Sequence, residues 1–172
     1  MKHADHGSHA TSTSSRMSHG GPGAGTRRHP YRLLAAMMVL MFVVMYGLMY
    51  AMVDRFAQIY HSLNQVYMAA LMTGAMLLLE LGIMRHMYPS LARNALAVVL
   101  SFVLLATGWF GLREQWGIGN RQFLRSMIPH HSGALLMCGE ATVTDERIRA
   151  LCGEIQSSQQ REIELMEQLL AE

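Results

Sequence analysis

The chain has 172 residues and a formal net charge of +2, which leaves room for one domain or two small ones. Residues 33–112 contain only five charged side chains, a composition that excludes an ordinary soluble domain there. The basic N-terminal segment is therefore interpreted as a membrane-topology signal and not as a nucleic-acid-binding surface. With two cysteines, the chain cannot form the disulfide scaffold of a small secreted protein.

Residues 1–32 are low in apolar side chains and rich in Gly, Ser, Thr and His. They show no helical or strand periodicity, which predicts a disordered, His-rich cytoplasmic tail. The regular spacing of His3, His6 and His9 leaves two interpretations open: a solvated leader with incidental histidines, or a flexible metal-collecting tail. A cleaved signal peptide is not expected, because the following apolar run is too long and lacks a small-residue cleavage site.

Three apolar runs follow, and each is long enough to cross a hydrocarbon core of about 30 Å. These predicted transmembrane helices are residues 33–53, 66–84 and 95–112. Five basic residues precede the first run, one lies in the 54–65 loop and two lie in the 85–94 loop. The positive-inside rule therefore places the N-terminus and the second loop in the cytoplasm, and residues 113–172 outside it.

Residues 113–172 have the apolar spacing of two consecutive soluble helices. The predicted fold is thus all-α, with three transmembrane helices followed by an extramembrane helical hairpin. Two helices of about 25 residues cannot enclose a core of their own. The hairpin must lie on another surface or pair with a second hairpin, and a homo-oligomer that forms a four-helix bundle is the simplest solution.

The hairpin also carries the densest group of soft metal-ligand side chains in the sequence. The candidate ligands are Met127, His130, His131, Met137, Glu162 and Met166. Imidazole and thioether groups suit copper or silver better than calcium or magnesium. Adjacent histidines point about 100° apart on a helix, so one is expected to face the core and the other a neighbouring helix or subunit. In the alternative interpretation, buried histidines bond to Gln159 and Glu162, and the methionines fill the core.

Cys138 and Cys152 lie on opposite arms of the predicted hairpin, at similar heights. In an oxidising compartment they can form a disulfide that closes a loop of about 15 residues, which is worth about 3 kcal/mol in the chain-entropy model. Alternatively, both thiolates join Met127 and His131 at a soft-metal site. A thiol–disulfide enzyme is not expected, because the chain has no Cys-x-x-Cys motif.

Methionines recur every three or four residues along the first two transmembrane helices. They are Met37, Met41, Met45, Met49 and Met52 on the first helix, and Met68, Met72, Met76 and Met84 on the second. Glu80 lies on the same face of the second helix, and an intramembrane carboxylate is a functional-site candidate by default. These faces either pass Cu(I) or Ag(I) between shallow sites or simply pack, since methionine is a good apolar filler.

The hairpin resembles the bacterial family catalogued as domain of unknown function 305 (DUF305). The resemblance rests on Phe123-x-x-x-Met127-x-Pro129-His130-His131-x-x-Ala134-x-x-Met137 and Gln159-x-x-Glu162-Ile163-x-x-Met166. The whole chain is similar to a membrane-anchored branch of that family, with three transmembrane helices and a His-rich leader. The resemblance implies half of a ferritin-like four-helix bundle and an association with copper or other heavy-metal handling. It carries over five of the candidate ligands by position: Met127, His130, His131, Met137 and Met166.

Two departures from the family pattern stand out. Asn120 occupies a position where the family usually has Asp, which weakens any ligand role there. Cys138 and Cys152 occupy positions where the family usually has small residues. A di-iron oxidase is excluded because the chain has no Glu-x-x-His motif, and no other catalytic constellation is present, so no enzyme is predicted.

Three functions follow from these patterns. The first is a membrane-anchored metal-binding protein, with copper as the expected ion and silver or zinc as alternatives. The second is a non-catalytic oligomerisation or partner-docking module, and the third is a small Cu(I)/Ag(I) transporter. The expected partners are the lipid bilayer, a metal ion and further copies of the chain, without nucleic acid. The expected location is the bacterial inner (plasma) membrane, with a periplasmic C-terminal domain.

Overall fold

The computed structural model describes residues 30–172, so the predicted tail residues His3, His6 and His9 lie outside the described part of the chain. Within residues 30–172 there are five α-helices and no strand, which confirms the predicted all-α class. The helices are α1 (Pro30–Leu48), α2 (Leu63–Ile83), α3 (Leu91–Arg113), α4 (Asn120–Glu140) and α5 (Glu146–Ala171). Short 3₁₀ turns cover Met49–Met52, Phe56–Gln58 and Arg85–Met87.

Three segments are long and apolar enough to cross a membrane. They are Pro30–Met52, Leu63–Ile83 and Leu91–Arg113. The second and third begin a few residues before the predicted runs, because polar capping residues start each helix. The Gln65 side chain accepts the backbone N–H of Ser62 at 3.3 Å, and the Ser90 hydroxyl accepts the N–H of Arg93 at 3.5 Å.

Helix α2 packs closely against α3 because glycines remove side chains from the contact. A Cβ atom at Gly108 would lie 2.7 Å from the carbonyl oxygen of Tyr67. A Cβ atom at Gly74 would lie 2.9 Å from the carbonyl oxygen of Ser101. Neither position has room for a methyl group, so the two backbones meet almost directly.

Helix α1 packs on α2 through larger side chains. Leu34, Leu77, Leu81 and Tyr88 form a buried cluster at one end of this contact. The hydroxyl of Tyr31 contributes to the same end, because it accepts the Ser90 N–H at 2.9 Å. The start of α1 is therefore tied to the turn between α2 and α3.

Helices α4 and α5 form the predicted hairpin. Its core consists of Ile128, Ile163 and Met166. Helix α4 is continuous through Pro129, so this residue does not begin a new helix. The carboxylate of Asp145 caps α5 by accepting the N–H of Arg147 at 2.8 Å.

The hairpin lies on the connection between α1 and α2. The buried hydroxyl of Ser132 accepts the backbone N–H of Asp54 at 2.8 Å and donates to the side-chain oxygen of Gln58 at 2.6 Å. Gln122 accepts the N–H of Leu63 at 3.1 Å. The chain thus supplies one surface that the hairpin needs, although several large apolar side chains on the hairpin stay exposed: Phe123, Met137, Ile148, Leu151, Leu165 and Leu169.

Candidate metal site

His131 lies in the interior of the hairpin with both ring nitrogens engaged. Its Nδ1 atom is 2.9 Å from the carbonyl oxygen of Met127, and its Nε2 atom is 2.8 Å from Oε2 of Glu162. A carbonyl oxygen can only accept, so Nδ1 carries a hydrogen. The contact between Nε2 and the carboxyl group then needs a second proton, held by the ring or by Glu162.

This proton decides what His131 can bind. A metal ion requires the lone pair of Nε2, so it must displace the proton shared with Glu162. The bond from Nδ1 to a backbone carbonyl is nevertheless the arrangement that orients an imidazole for ligation through Nε2. Met166 is buried with Ile128 and Ile163, where its thioether serves as core packing.

His130 points away from this pair. Its ring plane is inclined by 78° to that of His131, with the ring centroids 6.1 Å apart. The divergence predicted for adjacent helical histidines is therefore present. His130 is exposed and lines a cavity of about 350 Å³ between the hairpin and the three apolar helices.

Four soft-ligand side chains from three segments line this cavity. They are Met49 after α1, Met68 on α2, and Met127 and His130 on α4. Ser62, Asn64, Gln65, Gln115 and Ser126 add polar groups to the wall. The sequence predicted Met127 and His130 as metal ligands and placed Met49 and Met68 on the methionine faces of the first two apolar helices, but only the fold brings the four side chains together.

A hydrogen-bond network joins the end of the first apolar segment to the start of α2. The hydroxyls of Tyr46 and Tyr50 lie 2.9 Å and 3.1 Å from Nδ1 of His61. The Tyr50 hydroxyl also donates to Gln65 at 2.5 Å. The network fixes the end of α1 against the start of α2, next to Met49 in sequence. The sequence did not predict this network, because tyrosines near the ends of apolar helices are common.

Cys138 and Cys152 form a disulfide, with their Cα atoms 5.3 Å apart. A disulfide sulfur is not a thiolate, so the bonded pair does not provide the soft-metal ligands of the alternative interpretation. Met137 is exposed and does not line the cavity that contains His130. Within residues 30–172, no three His, Cys, Asp or Glu side chains converge, so the candidate ligand set is dominated by thioethers.

Glu80 accepts a hydrogen bond from the hydroxyl of Tyr88 at 2.7 Å. Burial, followed by the hydrogen bond to Glu80, raises the pKa of Tyr88 to about 12. Tyr88 is thus a protonated donor at neutral pH. Among the predicted site residues, Glu80 is distant in sequence from the rest and lies beside a separate void between α1 and α2.

Comparisons with known proteins agree with the resemblance carried by the hairpin. The family described as "Domain of unknown function (DUF305)" matches residues 118–171. An uncharacterized protein, L153, of Acanthamoeba polyphaga mimivirus is 34% identical over 113 residues, which cover 64% of this chain and 72% of the viral protein. The chain belongs to the DUF305 family. No solved structure matches it.

The DUF305 region contains all of α4 and α5, and therefore Met127, His130, His131 and Glu162. Met49 and Met68 lie outside it. The match to the viral protein is longer than the DUF305 region, so the similarity extends beyond the hairpin. The membrane-anchored branch and its His-rich leader stay predictions.

Proposed function

We propose that this DUF305 protein is a membrane-anchored binding protein for a soft monovalent metal ion, Cu(I) or Ag(I), in heavy-metal handling or resistance. The observation that carries the proposal is the cavity lined by Met49, Met68, Met127 and His130. These residues come from three segments of the chain. Their side chains line the same cavity, as the ligands of one metal ion must.

The donor set selects the ion. Thioethers are neutral, polarizable ligands that suit Cu(I) and Ag(I), whereas zinc sites are built from thiolate, imidazole and carboxylate groups. Among residues 30–172, the wall of the cavity has a single imidazole and no carboxylate or thiolate. His130 is exposed, which gives an ion a route from solvent to the methionines. Zinc is therefore the least favoured of the three metals considered.

Two independent features support a location of the hairpin outside the cytoplasm. The basic residues concentrate in the N-terminal segment and in the loop between α2 and α3, which the positive-inside rule assigns to the cytoplasm. The hairpin contains the disulfide between Cys138 and Cys152, and disulfides persist in oxidising compartments. In a bacterial cell the site would face the periplasm, next to the inner membrane.

Silver titration of the full chain in detergent tests the proposal. Ag(I) needs no reductant, so the disulfide stays intact during the measurement. We expect Met49→Leu, Met68→Leu and His130→Ala each to weaken binding about tenfold or more, which corresponds to about 1.4 kcal/mol. Leucine has nearly the volume of methionine, so packing is preserved.

Met137→Leu is the matched control, because Met137 is exposed and lies outside the cavity wall. Its affinity for Ag(I) should equal that of the native protein. Equal affinities in all four variants would contradict the site. Loss of binding only in His131→Ala and Glu162→Gln would move the site to the interior of the hairpin.

The exposed apolar side chains of the hairpin favour a second candidate function, an oligomerisation or docking module. Leu165 and Leu169 lie one helical turn apart on α5, and both are about half exposed. In this alternative, Leu165→Glu would reduce the mass of the complex measured by light scattering in detergent and leave Ag(I) affinity unchanged. A monomeric native protein would exclude self-assembly under those conditions.

A further inference from the structure

The two methionine-bearing membrane helices meet in a regular register. Met41 on α1 and Met76 on α2 line one void, and Met49 and Met68 line the cavity described above. Met49 lies eight residues after Met41 on the first segment, and Met68 lies eight residues before Met76 on the second. This antiparallel register places Met45 at the same height as Met72, midway between the two spaces.

The void around Met41 and Met76 is small and unusual in composition. Its volume is about 10 Å³, which is close to the space of a single water-sized sphere. Four thioethers, one leucine and two polar side chains line it: Met37, Met38, Met41, Met76, Leu77, Thr73 and Glu80. The Thr73 hydroxyl is buried and has no hydrogen-bond partner among residues 30–172. An unpartnered hydroxyl beside a void is a position where a ligand would satisfy a polar group.

The charge at this void limits which ion it can hold. Glu80 is the only acidic residue in the sequence of α2. A monovalent cation beside its carboxylate, with neutral thioethers around it, gives a complex without net charge. A divalent cation would leave one uncompensated positive charge among apolar thioethers, where desolvation is unfavourable.

We infer that this void is a second binding site for a monovalent soft cation, Cu(I) or Ag(I), within the membrane region. Met45 and Met72 connect it to the outer cavity, so that the α1–α2 interface carries the ion between the two sites. The inference shares the ion class of the proposed function, but it depends on different side chains and can be tested separately.

The stoichiometry of Ag(I) binding tests the inner site. The native chain in detergent should bind one ion more than the double variant Met41→Leu/Met76→Leu, and Met49→Leu/Met68→Leu should lose a different ion. Met52→Leu is the control, because Met52 lies on the same segment as Met49 and lines neither space. Circular dichroism checks that each variant keeps its helix content.

Glu80→Gln gives the second measurement. The amide keeps the shape of the side chain and removes its charge, so we expect at least a tenfold loss of affinity at the inner site and none at the outer one. X-ray absorption spectroscopy at the silver edge should show sulfur neighbours around the inner ion. These neighbours should disappear only in Met41→Leu/Met76→Leu. Unchanged stoichiometry in that double variant would overturn the inner site.

Proteoliposomes test the connection between the sites. The native protein should transfer Ag(I) across the bilayer, and Met72→Leu should slow transfer about tenfold without changing the number of bound ions. Absence of transfer by the native protein would overturn the connection. If Met49→Leu/Met68→Leu binds as the native chain does while the inner variants lose an ion, the proposed outer site fails and the inner site stands.

Discussion

Oε2 of Glu162 lies 2.8 Å from Nε2 of His131, across the interface between α4 and α5. The opposite nitrogen of the ring donates to the carbonyl of Met127, so the histidine is held at both ends. One proton must lie between the imidazole and the carboxyl group. The pair therefore joins the two helices of the hairpin through a hydrogen bond that depends on the partner at position 162.

Because of this geometry, two substitutions of Glu162 should differ in their effect on stability. The amide of Glu162→Gln can donate to Nε2 and retain the bond, so little stability should be lost. Glu162→Leu leaves Nε2 without a partner in a mostly buried ring, at a cost of about 1–3 kcal/mol. Thermal unfolding followed by circular dichroism in detergent measures the difference. Equal losses would mean that the amide of glutamine does not replace the carboxyl group as the partner of Nε2.

Removal of the Ser132 hydroxyl should loosen the hairpin from the connection between α1 and α2. Ser132→Ala takes away the acceptor of the Asp54 N–H and the donor to buried Gln58, which costs about 1–3 kcal/mol. Hydrogen exchange should accelerate in residues 53–62 and stay unchanged in α3. Ser157→Ala is the control, because that exposed hydroxyl bonds only within its own helix, to the carbonyl of Glu154. The same acceleration in both variants would argue against the link.

The disulfide should stabilise the hairpin by restricting its unfolded state. Its loop spans a sequence separation of 14 residues, for which the chain-entropy model gives about 3 kcal/mol. Cys138→Ser/Cys152→Ser should lower the unfolding temperature of the hairpin, and a reductant should lower it only in the native protein. Thiol titration verifies that the reduction is complete. An unchanged unfolding temperature of the fully reduced native protein would contradict this expectation.

The cap of α5 should make the hairpin sensitive to acid. Hydrogen bonds from the side chain and backbone of Arg147 hold the pKa of Asp145 below its ordinary value. A carboxyl group with a lowered folded-state pKa stabilises the fold above its unfolded pKa of about 3.9, and this contribution is lost as the pH falls through the folded pKa.

Asp145→Asn isolates this effect, because asparagine is also a good N-cap and does not titrate. The native protein should lose helix stability more steeply than the variant as the pH falls below about 4. The difference between the two pH profiles, measured by hydrogen exchange at the start of α5, reports Asp145 alone. Parallel profiles across this range would show that the carboxylate does not stabilise the cap.

Local spacing predicted most of the architecture. The three apolar runs and the periodic hairpin are all helices, and the family pattern lies on α4 and α5. The predicted apolar runs begin later than α2 and α3 do, because hydropathy does not include the polar first turns of these helices. Leu63 and Leu91 begin these helices through the caps at Ser62 and Ser90.

The sequence predicts less of the candidate site than of the fold. The divergence of His130 and His131 follows from helical geometry, but the sequence does not show that His130 lines a cavity with Met49. That shared cavity exists because the hairpin lies on the α1–α2 connection. The bond between Ser132 and Gln58, which are 74 residues apart, is part of this contact, and no periodicity in the sequence encodes it.

The two faces of α2 differ mechanically. Toward α3, a single methyl group at Gly108 would collide with backbone atoms, so we expect α2 and α3 to move together. Toward α1, the contact is filled in part by unbranched methionine side chains, which adapt to displacement with little strain. We therefore expect displacements among these three helices to fall on α1. Because the segment after α1 is hydrogen-bonded to Ser132, a shift of α1 should also move the hairpin and change the width of the cavity beside His130.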